Sequence, residues 1–260
     1  MYETLRIDAR DGIVLLYFNR PEKLNAINGE MFGELEDFFD RIARGEQRAD
    51  ALILTGEGRA FVAGADIHPY QTMTLSEFTA FQRLGRRVME KLERLPCPVI
   101  AAVNGYAFGG GFEIALACDI IIADETAKFA LPEAKLGLLP GGGGTQRLPR
   151  IVGPYVAKRM LCAAETIDAR RAYELNLVTE VTPKGQVVDA ALALAQTITA
   201  RCAPLAVRMA KRLVDEGLQA SLPTALSMEM DSTALLFATA DKTEGIAAFV
   251  EKRDPEFKGQ

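Results

Sequence analysis

Short runs that are apolar on both faces, separated by longer amphipathic segments, constrain the fold of this chain most strongly. Strands buried on both faces have this composition, and they occur mainly in parallel sheets that carry helices on either side. A hydrophobic content of 49% over 260 residues is ample for such a core. The predicted strands are residues 13–18, 51–55, 99–103 and 119–123. The sequence therefore predicts an α/β fold with a mainly parallel, doubly covered sheet.

The segments between these strands have helical periodicity. In residues 28–43, apolar side chains recur at spacings of three and four, which puts them on one face of a helix. A second helix is predicted to begin at Ser76, as its N-cap, and to end at Pro96. A third helix, apolar almost throughout, is predicted over residues 111–117.

Beyond Gly153 the strand signals nearly vanish. Only residues 177–181 look extended. The predicted helices are residues 155–163, 169–175, 186–200, 205–216 and 222–238. No low-complexity linker separates this part from the rest of the chain. We therefore predict an α/β core followed by helices that pack on the core or on a neighbouring subunit.

Charge and cysteine content argue against several classes of function. A net charge of -5, a pI near 5.2 and the lack of a basic run disfavour nucleic-acid binding. The cysteines are scattered and His68 is the only histidine, so a zinc or other metal site is not expected. No run approaches the ~20 apolar residues of a membrane span, and the N-terminus lacks a targeting pattern. We predict a cytoplasmic protein without a membrane-inserted segment.

Two glycine-rich segments follow predicted strands, an arrangement that often binds nucleotide phosphates. Gly105 and Gly109–Gly111 do not match G-x-G-x-x-G, and residues 140–147 lack the Gly-Lys-Ser/Thr of a P-loop. A tight turn or close helix packing is the simplest structural explanation of such glycines. Three in succession at a helix start exceed what packing needs, and they leave backbone N–H groups bare at the positive end of the helix dipole. Such a site favours an oxyanion.

A second set of small residues and two glutamates accompany these glycines. Ala63, Gly64 and Ala65 follow a strand and a loop, where they are either an ordinary turn or a second source of N–H donors. Glu113 and Glu133 are either helix-end acids favoured by the dipole or catalytic groups. The apolar neighbours of Glu113 predict burial and a perturbed pKa, which favours the catalytic interpretation.

Six motifs spread over nearly the whole chain complete this pattern. They are Asn-Arg-Pro-Glu-Lys-Leu-Asn-Ala-Ile at 19–27, Ala-Phe-Val-Ala-Gly-Ala-Asp-Ile at 60–67, the glycine-rich segment at 102–113, Phe-Ala-Leu-Pro-Glu at 129–133 with Leu-Gly at 136–137, Gly-Gly-Thr-Gln-Arg-Leu-Pro at 143–149, and residues 245–253. In combination they resemble the crotonase, or enoyl-CoA hydratase/isomerase, superfamily. The resemblance implies a crotonase-like β-β-α spiral core over residues 1–195 and a helical trimerisation region over residues 196–260. It also implies a homotrimer or a dimer of trimers.

The resemblance assigns an active site for acyl-CoA thioesters. In this family the thioester carbonyl oxygen lies between two backbone N–H groups, which match Ala65 and Gly110, and each donor supplies ~3 kcal/mol of transition-state stabilisation. The presence of both glutamates at this spacing is the pattern of the hydratases, which are hydro-lyases. Glu133 is then the main proton carrier and Glu113 orients and activates the water, which the N–H of Gly141 helps to hold.

Other reactions of the superfamily remain alternatives. A Δ3,Δ2-enoyl-CoA isomerase usually lacks a glutamate at position 113. Residues 104–113 and 129–135 also resemble a carnitinyl-CoA dehydratase, whereas the motif that begins at residue 143 is more similar to ordinary enoyl-CoA hydratases. A non-catalytic protein that binds acyl-CoA or RNA is disfavoured by the two glutamates and by the acidic composition. No metal or redox cofactor is implied, because coenzyme A is part of the substrate. The length of the acyl chain is not predicted, because the pocket is expected to be shaped by residues 67–84 and by the C-terminal helices, whose sequences are poorly diagnostic. The metabolic pathway is not predicted either.

The resemblance also assigns residues to the binding of the substrate and of its coenzyme A portion. They are Lys23, Ala26, Ala63, Gly64, Asp66, Ile67, His68, Gly141, Phe249 and Lys252. The lysines would bind the phosphates of coenzyme A, and Phe249 and Lys252 would come from a neighbouring subunit. Lysines of this kind are equally typical of a solvated surface. His68 stands where many hydratases have lysine. We interpret it as a loop residue near the coenzyme A tail rather than as an acid or base.

Overall fold

Two β-sheets and ten helices form the computed structural model, which describes residues 2–260. The strands are β1 (Leu5–Arg10), β2 (Ile13–Phe18), β3 (Ala51–Gly56), β4 (Ala60–Val62), β5 (Val99–Val103), β6 (Tyr106–Phe108), β7 (Ile120–Asp124), β8 (Lys128–Ala130), β9 (Thr166–Asp168) and β10 (Glu180–Thr182). The helices are α1 (Gly29–Ala43), α2 (Leu75–Glu93), α3 (Gly110–Leu116), α4 (Gly144–Val152), α5 (Pro154–Cys162), α6 (Ala169–Glu174), α7 (Val187–Arg201), α8 (Pro204–Gly217), α9 (Leu222–Phe237) and α10 (Ala240–Glu251). Met1, the first residue of the predicted core, lies outside the described residues.

The larger sheet has the strand order β1-β2-β3-β5-β7-β10, and within it only β1 runs antiparallel to its neighbour. Alternate residues of β3 pack to opposite sides: Leu52 and Leu54 belong to the core that contains α1, whereas Ile53 belongs to the core that contains α7. Every residue of β3 and β5 is buried. The prediction of a mainly parallel sheet covered on both sides is therefore confirmed.

The smaller sheet has the strand order β4-β6-β8-β9. Each of β4, β6 and β8 directly follows a strand of the larger sheet. The chain therefore repeats one order: a strand of the larger sheet, a strand of the smaller sheet, and then a helix or turn. This is the β-β-α spiral that the resemblance implies. The hydrophobic pattern did not indicate these four strands, because three residues are too few to carry a periodic signal.

Two local predictions are wrong. Ser76 is not an N-cap: the Thr74 hydroxyl accepts the N–H of Glu77 at 3.3 Å, and the Glu77 carboxylate accepts the N–H of Thr74 at 2.7 Å. This reciprocal capping box satisfies two N–H groups at once and sets the start of α2 two residues earlier than predicted.

The extended segment predicted at residues 177–181 is a strand only from Glu180 onward. Helix α10 was not predicted at all.

The last three helices carry many exposed apolar side chains. Lys211 attaches α8 to the core, because its ammonium group pairs with Asp119 at 2.8 Å and donates to the Cys97 carbonyl at 3.1 Å. The exposed apolar residues at the end of α8 and beyond include Leu218, Leu222, Leu226, Met230, Leu235, Phe237, Ile246, Phe249 and Val250. Large apolar patches of this kind are typical of surfaces that contact another chain. The boundary at residue 195 and the trimerisation of residues 196–260 remain predictions.

Within residues 2–260, no single helix has both the length and the hydropathy that a membrane span needs. The bent pair of α7 and α8 meets the test by length and composition, with an angle of 117° between the two helices.

Candidate active site

A cavity of about 320 Å³ lies between the ends of β4 and β6, helix α2 and the glycine-rich loop that precedes α4. Its lining is mostly apolar and includes Ile27, Phe32, Phe78, Phe81, Met89, Leu136, Leu138 and Leu139. Glu113 and Glu133 both line it. An apolar cavity with a few convergent polar groups is the usual form of a site for a small organic molecule.

Parallel pairing of β4 with β6 brings the two predicted N–H donors to the same end of the smaller sheet. Ala65 and Gly110 follow the C-terminal ends of these strands, and both line the cavity. The two segments approach closely, since a Cβ atom on Gly109 would lie 3.7 Å from the Cα atom of Gly64. Across residues 2–260, the N–H groups of Ala65 and Gly110 donate to no other residue. Two unpaired N–H groups on one cavity can hold a single oxygen atom from two sides.

Glu113 is held by backbone N–H groups. It is only 3% exposed although it lies in the first turn of α3, so the structure contradicts its interpretation as an exposed helix-end acid. Its Oε1 atom accepts the N–H of Gly144 at 2.7 Å, and the N–H groups of Gly142 and Gly143 also face the carboxylate. Burial raises the pKa of Glu113, whereas these N–H groups and the guanidinium of Arg147 oppose the rise. The result is a carboxylate with a fixed orientation.

Glu133 begins a short 3-10 turn, Glu133–Leu136, and has much less support. Within the described part of the chain, its buried Oε2 atom has no hydrogen-bond partner. Burial, and then the charge of Glu113, raises the pKa of Glu133 to about 7. Gly109 makes room for it: a Cβ atom there would lie 2.8 Å from Glu133 Oε1, and the φ angle of +52° also favours glycine. A carboxyl group that titrates near neutrality is suited to proton exchange with a substrate.

The remaining predicted residues divide into those on the cavity and those away from it. Those that line the cavity are Ala63, Gly64, Ile67 and Gly141. Ala26 and Asp66 do not line it and instead contact Arg20, whose guanidinium donates to the Ala26 carbonyl at 2.5 Å and lies 3.7 Å from the Asp66 carboxylate. Arg20 therefore ties together the two loops that flank the Ala65 donor.

Four residues predicted to bind coenzyme A are exposed and do not line the cavity of this chain. They are Lys23, His68, Phe249 and Lys252. His68 begins a 3-10 turn, and its N–H donates to the Asp66 carboxylate at 3.3 Å. Phe249 is 85% exposed near the end of α10. The assignment of these four residues to coenzyme A stays a prediction.

One wall of the cavity comes from residues 67–84, which sequence reasoning assigned to the pocket without giving Tyr70, Phe78, Phe81 or Gln82 a role. Helical periodicity does not distinguish an apolar stripe of α2 that faces the core from one that faces a cavity. Tyr70 packs edge-on against both rings, with centroid distances of 5.3 Å and 6.0 Å. Burial, followed by the charges of the two glutamates, raises the pKa of Tyr70. Gln82 packs against the glycine-rich loop at Gly141.

Comparisons with known proteins identify the family of this chain. The sequence profile of the enoyl-CoA hydratase/isomerase family matches residues 8–260. A crotonyl-CoA hydratase of Syntrophomonas wolfei is 41% identical over 257 residues, which is 98% of each chain. A 2,3-dehydroadipyl-CoA hydratase of Escherichia coli is 38% identical over 256 residues, which is 98% of this chain and 99% of that one. The crystal structure of an enoyl-CoA hydratase from Bacillus anthracis matches with a TM-score of 0.95 and 38% identity, over 99% of this chain and 100% of that one. The chain therefore belongs to the enoyl-CoA hydratase/isomerase family.

Proposed function

We propose that the protein is an enoyl-CoA hydratase, a hydro-lyase that adds water reversibly to a trans-2-enoyl-CoA and forms a 3-hydroxyacyl-CoA. The observation that carries this proposal is the pair of differently held glutamates, Glu113 and Glu133, on one cavity with the unpaired N–H groups of Ala65 and Gly110. Membership of the family and the names of its similar relatives support the same reaction.

The two N–H groups stabilise the charge that develops during addition. The thioester carbonyl oxygen accepts hydrogen bonds from Ala65 and Gly110. As the water oxygen bonds to C3, the electron pair of the C2–C3 double bond moves towards the carbonyl, and negative charge collects on its oxygen. Donors already aimed at that oxygen need no reorganisation, so they stabilise the enolate-like state more than the ground state.

The two glutamates divide the proton transfers. Glu113 orients the water and accepts one of its protons, and the N–H of Gly141 helps to hold the water. Glu133 donates a proton to C2 from the same face, which gives syn addition. Transfer of the proton from Glu113 to Glu133 through solvent then restores both groups. The pKa of Glu133, raised to about 7, supports this role because the proton must be both held and released near neutral pH.

The proposal extends to the rest of the substrate and to the assembly. Lys23, with Phe249 and Lys252 of a neighbouring subunit, binds the coenzyme A portion in a cytoplasmic homotrimer or dimer of trimers, without a metal or redox cofactor. The acyl chain occupies the apolar part of the cavity. The two relatives are named for a short linear acyl chain and for one with a terminal carboxylate, at similar identities, so a panel of enoyl-CoA lengths and end groups is needed to assign the natural chain.

Replacement of each glutamate by glutamine tests the assignment, because glutamine keeps the shape and loses the titratable group. We expect Glu113→Gln and Glu133→Gln each to lower kcat for crotonyl-CoA hydration by about 100-fold or more. The measurement is the loss of ultraviolet absorbance of the conjugated thioester, with melting curves to verify folding. Glu180→Gln, at the exposed first residue of β10, is the matched control and should leave kcat unchanged. Full hydratase activity in either active-site variant would contradict the assignment.

Isomerisation is the second candidate, because a lone carboxyl group with a pKa near 7 can carry a proton between C2 and C4. A Δ3,Δ2-isomerase should prefer a 3-enoyl-CoA over crotonyl-CoA and should tolerate Glu113→Gln. Preferential turnover of a carnitinyl-type substrate would indicate a specialised dehydratase. Calorimetric binding of acyl-CoA thioesters without turnover across the panel would indicate a non-catalytic binder.

A further inference from the structure

Arg147 lies behind Glu113 and does not line the cavity. Its Nη1 atom donates to the carbonyl oxygen of Gly142 at 2.6 Å. Its Nε and Nη2 atoms donate to the two carboxylate oxygens of Glu93 at 2.6 Å and 2.7 Å. The Arg147 side chain is only 20% exposed. This bidentate, partly buried geometry is the strong form of an arginine–carboxylate pair.

Residues 141–144, which we call the four-glycine loop, lie between this guanidinium and the Glu113 carboxylate. A Cβ atom on Gly143 would lie 1.9 Å from Arg147 Nη1, and one on Gly142 would lie 2.8 Å from Glu113 Oε2. The φ angle of Gly143 is +108°, which other residues rarely adopt. On the cavity side, the N–H of Gly144 binds Glu113 Oε1. The loop backbone therefore transmits the position of Arg147 to the carboxylate.

Glu93 connects the same guanidinium to a second wall of the cavity. It is the last residue of α2, and Gln82, Gly85 and Met89 of that helix line the cavity. Arg147 thus joins α2, the four-glycine loop and the start of α4 through three hydrogen bonds. A lysine would offer one compact charge in place of this planar fork, so it could not reproduce all three bonds.

We propose that Arg147 is a positioning residue for hydration: clamped between Glu93 and Gly142, it fixes the four-glycine loop and, through the loop, aims the Glu113 carboxylate at the attacking water. This inference rests on the proposed function. The charge of Arg147 also opposes the effect of burial on the pKa of Glu113, so its loss should raise that pKa further.

The test compares Arg147→Met, Arg147→Lys and Arg150→Met in the full-length protein. Arg150 lies on the same helix, is exposed and, among residues 2–260, binds only the Gln146 carbonyl, so it controls for the loss of a positive charge on α4. We expect Arg147→Met to lower kcat for crotonyl-CoA by about 10- to 100-fold with little change in KM, because misplacement of a reacting group acts on the chemical step. The low-pH limb of its kcat profile should move to higher pH. Arg147→Lys should leave that limb near its original pH while recovering only part of kcat, and Arg150→Met should match the wild type.

A second readout does not depend on turnover. Carboxyl-¹³C-labelled glutamate, with the Glu113 signal assigned by its absence in Glu113→Gln, reports the pKa of Glu113 by NMR titration. A higher pKa of Glu113 in Arg147→Met, with a smaller rise in Glu93→Gln, which keeps the Arg147 charge, supports the clamp even if the wild type does not hydrate crotonyl-CoA, in which case only the proposed function fails. If Arg147→Met does not fold, Glu93→Gln, which weakens the clamp and leaves Arg147 in place, should shift kcat in the same direction by less. An unchanged Glu113 titration and pH limb, with kcat falling only as the folded fraction falls, would overturn the inference.

Discussion

Glu113 and Glu133 face the same cavity from different surroundings. Glu113 is buried, accepts backbone N–H groups from the four-glycine loop and has the Arg147 guanidinium behind that loop. Glu133 has a buried oxygen atom without a partner in residues 2–260. Burial raises the pKa of both groups, but only at Glu113 do several donors and a cation oppose the rise. One carboxyl group is thereby favoured as an acceptor and the other as a proton donor.

The different surroundings of Glu113 and Glu133 come largely from the conformation of the backbone. Glycine at position 109 leaves room for Glu133, and glycines at 142 and 144 let N–H groups approach Glu113. Two identical side chains therefore acquire different chemistry because the chain around them has different conformations. Substitutions that change the surroundings of one glutamate at a time therefore separate their roles.

Among substitutions that leave both glutamates in place, Gly142→Ala is expected to lower kcat most. The added Cβ atom would lie 2.8 Å from Glu113 Oε2 and must displace the carboxylate or the loop. We expect kcat for hydration to fall on the order of 100-fold, since a shift of about 1 Å in a reacting group costs this much. Glu133 should keep its proton affinity.

Gly33→Ala is the matched control for that substitution. A Cβ atom at Gly33 meets nothing within 4 Å, and the residue lies inside α1. This variant should retain kcat and gain about 0.5–1 kcal/mol in the free energy of unfolding, because alanine favours the helix. Normal kcat in Gly142→Ala would mean that the position of the Glu113 carboxylate is unimportant.

Sequence reasoning predicted the buried parallel strands, the α1 face and the family, because each depends on residues close in the chain or on a motif. It also proposed both glutamates, which the structure brings to one cavity. It missed the three-residue strands of the smaller sheet, and it gave no individual role to the α2 residues on the cavity wall. It gave Arg147 no role, since the partner Glu93 is remote in sequence and no local pattern joins them. Long-range contacts of this kind exist only once the fold has formed.

An effect of intermediate size is expected on the melting temperature when Glu133 is replaced by glutamine. The folded pKa of Glu133, about 7, lies above its ordinary value of 4.5, so its contribution to stability is present at low pH and is lost as pH rises through about 7. Glu133→Gln should therefore melt a few degrees higher than the wild type at pH 8 and much less so at pH 5. Residual exposure of the carboxyl group reduces the size of this difference. Equal differences at both pH values would show that Glu133 does not titrate in this range.

Glu113→Gln should behave differently in the same melting experiment. The Gly144 N–H would exchange a charged acceptor for a neutral one, and charge-assisted hydrogen bonds are the stronger kind. Because these donors offset only part of the burial of Glu113, we expect a smaller gain in melting temperature at pH 8 than for Glu133→Gln. A gain as large as that of Glu133→Gln would mean that the donors do not distinguish Glu113 from Glu133, and the contrast between the two carboxyl groups would disappear.

The smallest effect on kcat is expected from Tyr70→Phe. This substitution tests whether the two carboxyl groups are sufficient for hydration or whether the Tyr70 hydroxyl also takes part. Phenylalanine keeps the ring packed on Phe78 and Phe81 and removes a hydroxyl that makes no hydrogen bond to another residue in the described chain. Its remaining partners are water and substrate, so we expect kcat to fall by about 2- to 10-fold, the value of one hydrogen bond. Tyr173→Phe, at an exposed position of α6, should have no effect. A loss as large as that of Glu113→Gln would make Tyr70 a third group in the reaction, because ring packing is unchanged and only the hydroxyl is missing.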